Sequence, residues 1–549
     1  MARSLALRRW QKEALDLLAE RDAADFLAVA TPGAGKTTFA LAAVLQHLDR
    51  HPDHRTVVVA PTSHLKLQWA RAAARLGLQL EPSWSSATGR LPADMHGIVV
   101  TYQQVASNPG ALRHHAPRCV VVLDELHHTG EERAWGAAAR HAFDQAPRRL
   151  ALSGTPFRSD THAIPFVTYV GDEATPDFEY GYTAALADRR VVRPVYFPTI
   201  NGFMEWTAPD GTRNAAGFDD ALDAQGSAQR LRTALSLQGE WLPAVLARAN
   251  DRLRELRAEQ PDAAGLVIAA DQDHARGIAH LLHQRHRVSA SVATSDDPTA
   301  SQRIADFAAG SSPWLVAVRM VSEGVDIPRL RLGVFATTTT TELFFRQAVG
   351  RFVRHTGGTA QRERAWLFIP DDHRLRRWAD TIAEQRRHSL RRSWEEGEAH
   401  EEPVDPEALD EVPDDPGQLS LFEVHSAHVI DGDGARSSFD DDPDAEALDL
   451  AVHGGEVPFE LPAAPLLGAG RHTASPPVGL GDRPLAELKG ELRSANADLA
   501  KELARCTGLT HREVNGRLNR LASVERIADA SLEQLRRRAV HAERWMAGL

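Results

Sequence analysis

Residues 31 to 38 read Thr-Pro-Gly-Ala-Gly-Lys-Thr-Thr, and this octapeptide limits the fold more than any other stretch of the chain. The run Phe26 to Ala30 before it is apolar and short enough for a buried strand, and Phe39 to Leu48 after it has the Ala/Leu spacing of a helix. A glycine-rich loop set between a strand and a helix makes a phosphate cradle. Glycines let successive backbone N–H groups point inward, and the helix N-terminus adds partial positive charge. Gly33, Gly35 and Thr38 belong to this cradle; Lys36 has the reach for β- and γ-phosphates, and Thr37 has the hydroxyl for Mg2+. The spacing departs from GxxxxGK[ST] only at its first position, where Thr31 stands in place of glycine.

The apolar run Cys119 to Leu123 ends in Asp124-Glu125-Leu126-His127-His128. Beside a phosphate loop, two carboxylates at the end of a buried strand divide the work: Asp124 bonds the hydrated Mg2+ and Glu125 polarises the attacking water. Two more buried strands, Val57 to Ala60 and Ile98 to Val100, lead into Pro61-Thr62 and Thr101-Tyr102. Polar groups at such strand ends can hydrogen-bond the phosphates of a bound strand. Leu150 to Phe157 is a further strand and turn, and it contains Ser153 and Thr155. Upstream, residues 5 to 18 form an amphipathic helix carrying Gln11, whose amide can pair with N6 and N7 of adenine and so select ATP. Alternating strands and helices up to about residue 195 predict a doubly wound parallel sheet with its site at the strand C-termini.

The strand pattern restarts at Gly265 to Ala270 and continues through Trp314 to Pro328, Leu332 to Ala336 and Gln347 to Arg354. This second α/β domain has no phosphate loop. Spacings of four and three predict Gln347, Arg351 and Arg354 on one helical face, with their polar ends converging on one external target. Arginines there suit the charge that develops on a γ-phosphate.

In order and spacing these segments resemble the motif set of superfamily-two DEAD/DEAH-box-type helicases, from Gln11 to the QxxGRxxR of Gln347 to Arg354. The DExH spelling of Asp124 to His127 and the Gln-Ala-Val-Gly-Arg run place the resemblance nearer the XPB-like and RadD-like DNA helicases and translocases than the DEAD-box RNA helicases. It covers about residues 5 to 370. The resemblance implies ATP and Mg2+ between two RecA-like domains, with arginine fingers at Arg351 and Arg354. It also implies nucleic-acid contacts by Pro61, Thr62, Thr101 and Tyr102, coupling through Ser153 and Thr155, and nucleotide-state sensing by Gly324 and Asp326. No strand-separating pin is identifiable, so translocation is better founded than unwinding. The expected function is an ATP-dependent DNA helicase or translocase of bacterial genome maintenance. An RNA helicase, the motor of a restriction or defence system, and an ATP-gated DNA-binding adaptor remain as alternatives.

Charge divides the chain. Residues 395 to 482 hold 23 Asp or Glu against two Arg, so the net charge of −12 splits into −21 there and +9 elsewhere. An acidic, Pro- and Gly-bearing stretch with little periodic apolar pattern reads as disordered linker. The expected architecture is α/β: RecA-like domains at 1–197 and 259–394 joined through 198–258, then the linker at 395–482 and an all-helical module at 483–549. In that module Ala497 to Leu521 has the outline of a helix-turn-helix around Gly508, and a helical cap or oligomerisation element fits equally well. Inside the linker, Gln418-Leu419-Ser420-Leu421-Phe422 resembles the QLxLF peptide by which bacterial proteins bind the sliding clamp. With two distant cysteines, Cys119 and Cys506, and no apolar stretch near the ~20 residues of a membrane span, a cytoplasmic, nucleoid-associated protein with no membrane partner is expected.

Overall fold

The computed structural model of the chain describes residues 3–21, 23–86, 90–126, 133–154, 164–170, 173–188, 191–294, 296–297, 299–318, 327–354, 363–392, 423–429, 457–465 and 484–548. Two units emerge. One contains Met1–Val29, Gly35–Glu179 and Gly455–Leu549; the other contains Ala30–Ala34 and Tyr180–Gly454.

Among the described residues, the first unit is built on a seven-stranded sheet in the order Phe178–Tyr180, Asp25–Ala30, Arg148–Ser153, Cys119–Leu123, Arg55–Ala60, Gly97–Thr101, Leu80–Glu81. From Asp25–Ala30 onward the neighbours run parallel. Strands covered on both faces are apolar throughout rather than alternating, which accounts for runs such as Cys119-Val-Val-Val-Leu123, buried along its whole length. Register aligns the strand ends, with Val59 opposite both Leu123 and Val100, and Val29 opposite Ser153. Segments starting at Thr31, Pro61, Thr101, Asp124 and Gly154 therefore leave the sheet at one edge, where open α/β sheets place their ligands.

The second unit holds another parallel sheet, in the order Val195–Tyr196, Ala365–Pro370, Leu330–Ala336, Ala264–Ala269, Trp314–Ala317, Ala290–Ala293; Thr199–Ile200 also pairs with Ala365–Pro370. Trp314, Trp241, Val334 and Phe368 centre its core. The fold is thus α/β with two RecA-like parallel sheets, followed by a helical C-terminal module.

Two segments of the acidic stretch are strands where the sequence reading expects linker throughout. Glu423–Val429 pairs antiparallel with Gly202–Thr207, which in turn pairs with Arg213–Gly217 in a small sheet of the second unit. Val457–Leu461 pairs antiparallel with Arg3–Leu7 in the first. The cause is local alternation. Val457, Phe459 and Leu461 face inward between an exposed Pro458 and Glu460, a period-two pattern that the surrounding acidity hides.

The C-terminal helices Leu485–Thr507, His511–Ala522 and Leu532–Ala547 pack on one another, with Gly508 left-handed at the first turn (φ +68°). They group with the first unit through buried charge. Lys489, 1 % exposed, lies 3.1 Å from Asp94 and 3.8 Å from Glu81, beside an apolar contact of Met95 with Leu485 and Leu532. No helix among the described residues is long and apolar enough to cross a membrane.

Candidate functional site

The loop after Asp25–Ala30 turns through two left-handed glycines, Gly33 (φ +81°) and Gly35 (φ +90°), a conformation costly for any residue with a Cβ. Helix Lys36–Arg50 begins immediately, with Gly35 as its cap and Lys36, Thr37 and Thr38 in its first turn. Helix Arg9–Glu20 lies against this turn. Gln11 Nε2 donates to Gly35 O at 2.9 Å, and Gln11 Oε1 accepts from Arg8 N at 2.9 Å. The sequence reading gives this amide to adenine; in the structure it is 3 % exposed and ties the helix to the loop. A Cβ on Gly35 would stand 2.7 Å from Nε2, a second reason for glycine there. Thr31 is buried and its N–H donates to Tyr180 O at 3.0 Å.

Past Cys119–Leu123, Asp124 N donates to Val59 O and Leu126 N to Leu152 O, so both flanks of Glu125 are pinned to neighbouring strands. Glu125 itself is left-handed (φ 47°), a strain of order 1–3 kcal/mol for a non-glycine residue that persists only when its surroundings over-determine it. Its Oε2 accepts from Gly154 N at 3.0 Å and its Oε1 lies 3.1 Å from Lys36 Nζ. A Cβ on Gly154 would stand 3.0 Å from that ammonium, so glycine after strand Arg148–Ser153 leaves close room for Lys36 and Glu125 to meet. Ser153 is fully buried just before it. Asp124 is oriented twice: Trp69 Nε1 donates to its Oδ2 at 2.8 Å, and Tyr102 OH donates to its main-chain oxygen at 2.9 Å. An ammonium and a backbone N–H beside a loop with two left-handed glycines suit a polyphosphate, and an oriented carboxylate suits a hard divalent cation.

Thr101 and Tyr102, expected from the resemblance to contact a nucleic-acid strand, lie inside the first unit. They are 5 % and 1 % exposed. The Thr101 hydroxyl caps helix Tyr102–Ser107 by accepting from Gln104 N, while Gln104 Oε1 accepts from Thr101 N and from Lys66 Nζ, both at 3.0 Å. The Tyr102 ring stacks 6.1 Å from Trp135; burial first, and then Asp124 and Glu125, push its phenol well above the ordinary range. These residues buttress the acidic turn from inside. Pro61 and Thr62 stay half-buried at the head of helix Ser63–Arg75. No sequence motif marks Trp69, Gln104 or Lys66. The available signal was an indole eight residues past Pro61, since a buried Trp N–H needs an acceptor.

In the second unit, helix Glu342–Val349 carries Gln347 but stops before either arginine. Arg351 lies in the turn that follows, and Arg354 forms an antiparallel bridge with Val192, so the three do not share a helical face. Phe352 and Val353, both buried, draw the chain inward and off the helix; the Phe352 ring packs so closely that a Cβ on Gly333 would meet it at 2.4 Å. The loop residues Ala30–Ala34 group with this unit, where a Cβ on Gly33 would stand 3.2 Å from Arg354 Cγ. His127, His128, Thr155, Gly324, Asp326 and the Gln418, Leu419, Leu421, Phe422 peptide lie outside the described residues.

Residues 4–158 match the protein-family model for the type III restriction enzyme res subunit, and residues 248–356 match that for the helicase conserved C-terminal domain. With the two parallel sheets and the site at the first sheet's edge, these matches define a helicase-type ATPase of superfamily two. The chain is 47 % identical over 411 residues to uncharacterized protein ML1624 of Mycobacterium leprae, a match covering 73 % of this chain and 67 % of that one, and it belongs to the same family. It spans about two thirds of that relative's length. It is 24 % identical over 348 residues to a putative DNA 3'-5' helicase Rad25 of Halobacterium salinarum, covering 61 % of this chain and 49 % of the other. Among solved structures, a fragment of a putative type I restriction HsdR subunit from Vibrio vulnificus YJ016 aligns with a TM-score of 0.47 at 16 % identity, over 68 % of this chain and 66 % of that one.

Proposed function

We propose that this chain is an ATP-driven DNA translocase or helicase of bacterial genome maintenance. The observation that carries the reading is the convergence of Lys36, Glu125 and the Gly154 N–H at the sheet edge, next to an Asp124 held from two sides. In this reading the Gly33–Thr38 loop and Lys36 bind the triphosphate, Thr37 and Asp124 hold Mg2+, and Glu125 takes a proton from the attacking water. A Mg2+ ion held there would supply positive charge against the phosphate groups. Gln11 steadies the loop and so supports nucleotide affinity. Arg351 and Arg354 stabilise charge on the transferred phosphoryl group, with Gln347 beside them, and Arg351→Ala or Arg354→Ala lowers turnover by roughly 10³. Gly324 and Asp326 sense nucleotide state; Ser153 and Thr155 couple it to a strand held through Pro61 and Thr62.

DNA is favoured over RNA because a named DNA helicase stands among the relatives. ATPase activity with single-stranded, duplex and forked DNA and with RNA tests the reading: DNA is expected to stimulate, and stimulation by RNA alone overturns the choice. The res-subunit match favours, as a second reading, the motor of a restriction system, which requires a nuclease partner. Copurification of a nuclease decides for it. The peptide at Gln418, Leu419, Leu421 and Phe422 is proposed as a sliding-clamp contact. It ends where strand Glu423–Val429 begins, so the clamp would grip next to a fixed anchor; a Leu421→Ala, Phe422→Ala double variant should lose clamp binding and keep its ATPase.

A further inference from the structure

Arg193 is 1 % exposed, and none of the chemistry above employs it. Its backbone N–H donates to Val353 O at 2.6 Å, next to the bridge between Val192 and Arg354. Its Nη2 donates to Arg354 O and, at 2.8 Å, to Pro328 O; its Nη1 reaches Leu330 O at 3.4 Å. The carboxylate of Glu363, also buried, stands 3.1 Å from Nη2. One guanidinium thus joins the start of strand Leu330–Ala336 to the turn that carries Arg354. Burial pulls Arg193 down to about 10 against the opposing pull of Glu363, so it is charged at neutral pH.

The acceptors are divided between the two ends of the guanidinium, Leu330 O at Nη1 and the Arg354 and Pro328 carbonyls with Glu363 at Nη2; a lysine ammonium offers three donors from a single atom and cannot span both ends. We propose that Arg193 is the positioning residue for Arg354, fixing the main chain from which that side chain departs so that its guanidinium is aimed before nucleotide arrives. A misaimed donor costs turnover rather than substrate binding, because its interaction belongs to the transition state. The inference rests on the assignment of Arg354 to the nucleotide site.

The test is steady-state ATPase of the full chain, with and without single-stranded DNA, for Arg193→Lys, Glu363→Gln, Arg354→Ala and the Arg193→Lys, Arg354→Ala pair. Arg193→Lys is expected to lower kcat ~10-fold or more with KM for ATP within ~2-fold, and to add nothing once Arg354 is gone. Full multiplication of the two single effects overturns the inference and leaves the role of Arg354 standing. Wild-type kcat in Arg354→Ala overturns that role and the inference with it. If Arg193→Lys does not fold, Glu363→Gln decides: a fall in kcat at constant KM supports positioning, and unchanged kcat refutes it.

Discussion

Lys36 Nζ and Glu125 Oε1 stand 3.1 Å apart, so the lysine proposed for phosphate and the glutamate proposed for water form an ion pair with each other. On the proposed function, binding of a triphosphate exchanges this pair for lysine–phosphate contacts. Glu125→Gln removes the competing charge, and nucleotide affinity should rise by roughly 2–5-fold, the scale of a partly exposed ion pair. Turnover should fall by ~10²–10⁴ as the base is lost. Lys36→Ala should instead abolish binding. Calorimetric titration with a non-hydrolysable analogue checks both; equal loss of affinity in the two variants contradicts the exchange.

Asp124 owes its orientation to an indole. Trp69→Phe keeps most of the ring and deletes the 2.8 Å bond to Oδ2. Outer-shell partners of this kind change metal affinity ~10–100-fold, so the Mg2+ concentration for half-maximal ATPase should rise roughly tenfold. An unaltered Mg2+ profile would show that the carboxylate is held well enough by Tyr102 and the strand.

The C-terminal helices should unfold with the sheet beside them rather than independently. Lys489→Ala leaves Asp94 and Glu81 without their shared cation, although Arg493 still stands 3.5 Å from Glu81. Breaking such a buried pair costs roughly 3 kcal/mol. Hydrogen exchange of residues 485–547 should then accelerate along with the flanks of Asp94, and protection equal to wild type would mean that the apolar contact alone holds the module.

His47 predicts acid sensitivity in the first unit. Burial lowers it from 6.5 to about 4, helped by His51, His54, Arg148 and Arg50. The folded protein resists a proton that the unfolded chain accepts, so the stability is complete above pH 6.5 and is lost as pH falls towards 4. Discounted for partial solvent access, this is at most about 2 kcal/mol. Urea midpoints at pH 7 and pH 4.5 should differ less in His47→Gln than in wild type; an equal difference assigns the acid loss to other groups.

The local fold around a patterned segment is legible in the chain, as the strand-loop-helix at Asp25–Arg50 and the buried strand Cys119–Leu123 show. The positions of Lys36 at a helix start and of Asp124-Glu125 at a strand end follow from the glycine spacing and from a buried strand running into charge. The direction of Tyr102 does not, because a tyrosine at a strand end reads the same whether its ring points outward or, as here, in towards Asp124. Arg351 and Arg354 keep helical spacing in sequence, yet Phe352 and Val353 satisfy the core instead, and that competition is decided by packing against Gly333. Gln11 illustrates a third limit, since an amide can serve a base edge or a carbonyl and only proximity to Gly35 chooses. Arg193 has no pattern at all; its importance lies in carbonyls brought from more than 130 positions away.

The pairing of Glu423–Val429 with Gly202–Thr207, and of Val457–Leu461 with Arg3–Leu7, bears on any attempt to shorten this protein. A chain ended at residue 394 retains every helicase motif but strips one strand from a sheet in each unit and the C-terminal helices from the first. Gly202–Thr207 and Arg3–Leu7 would each then present a row of unmet N–H and C=O groups, the kind of template on which chains stick edge to edge. Such fragments should come out as soluble oligomers or precipitate even with an intact nucleotide site, and a chain that lacks only 423–429 and 457–461 should associate likewise and be dispersed by the two peptides.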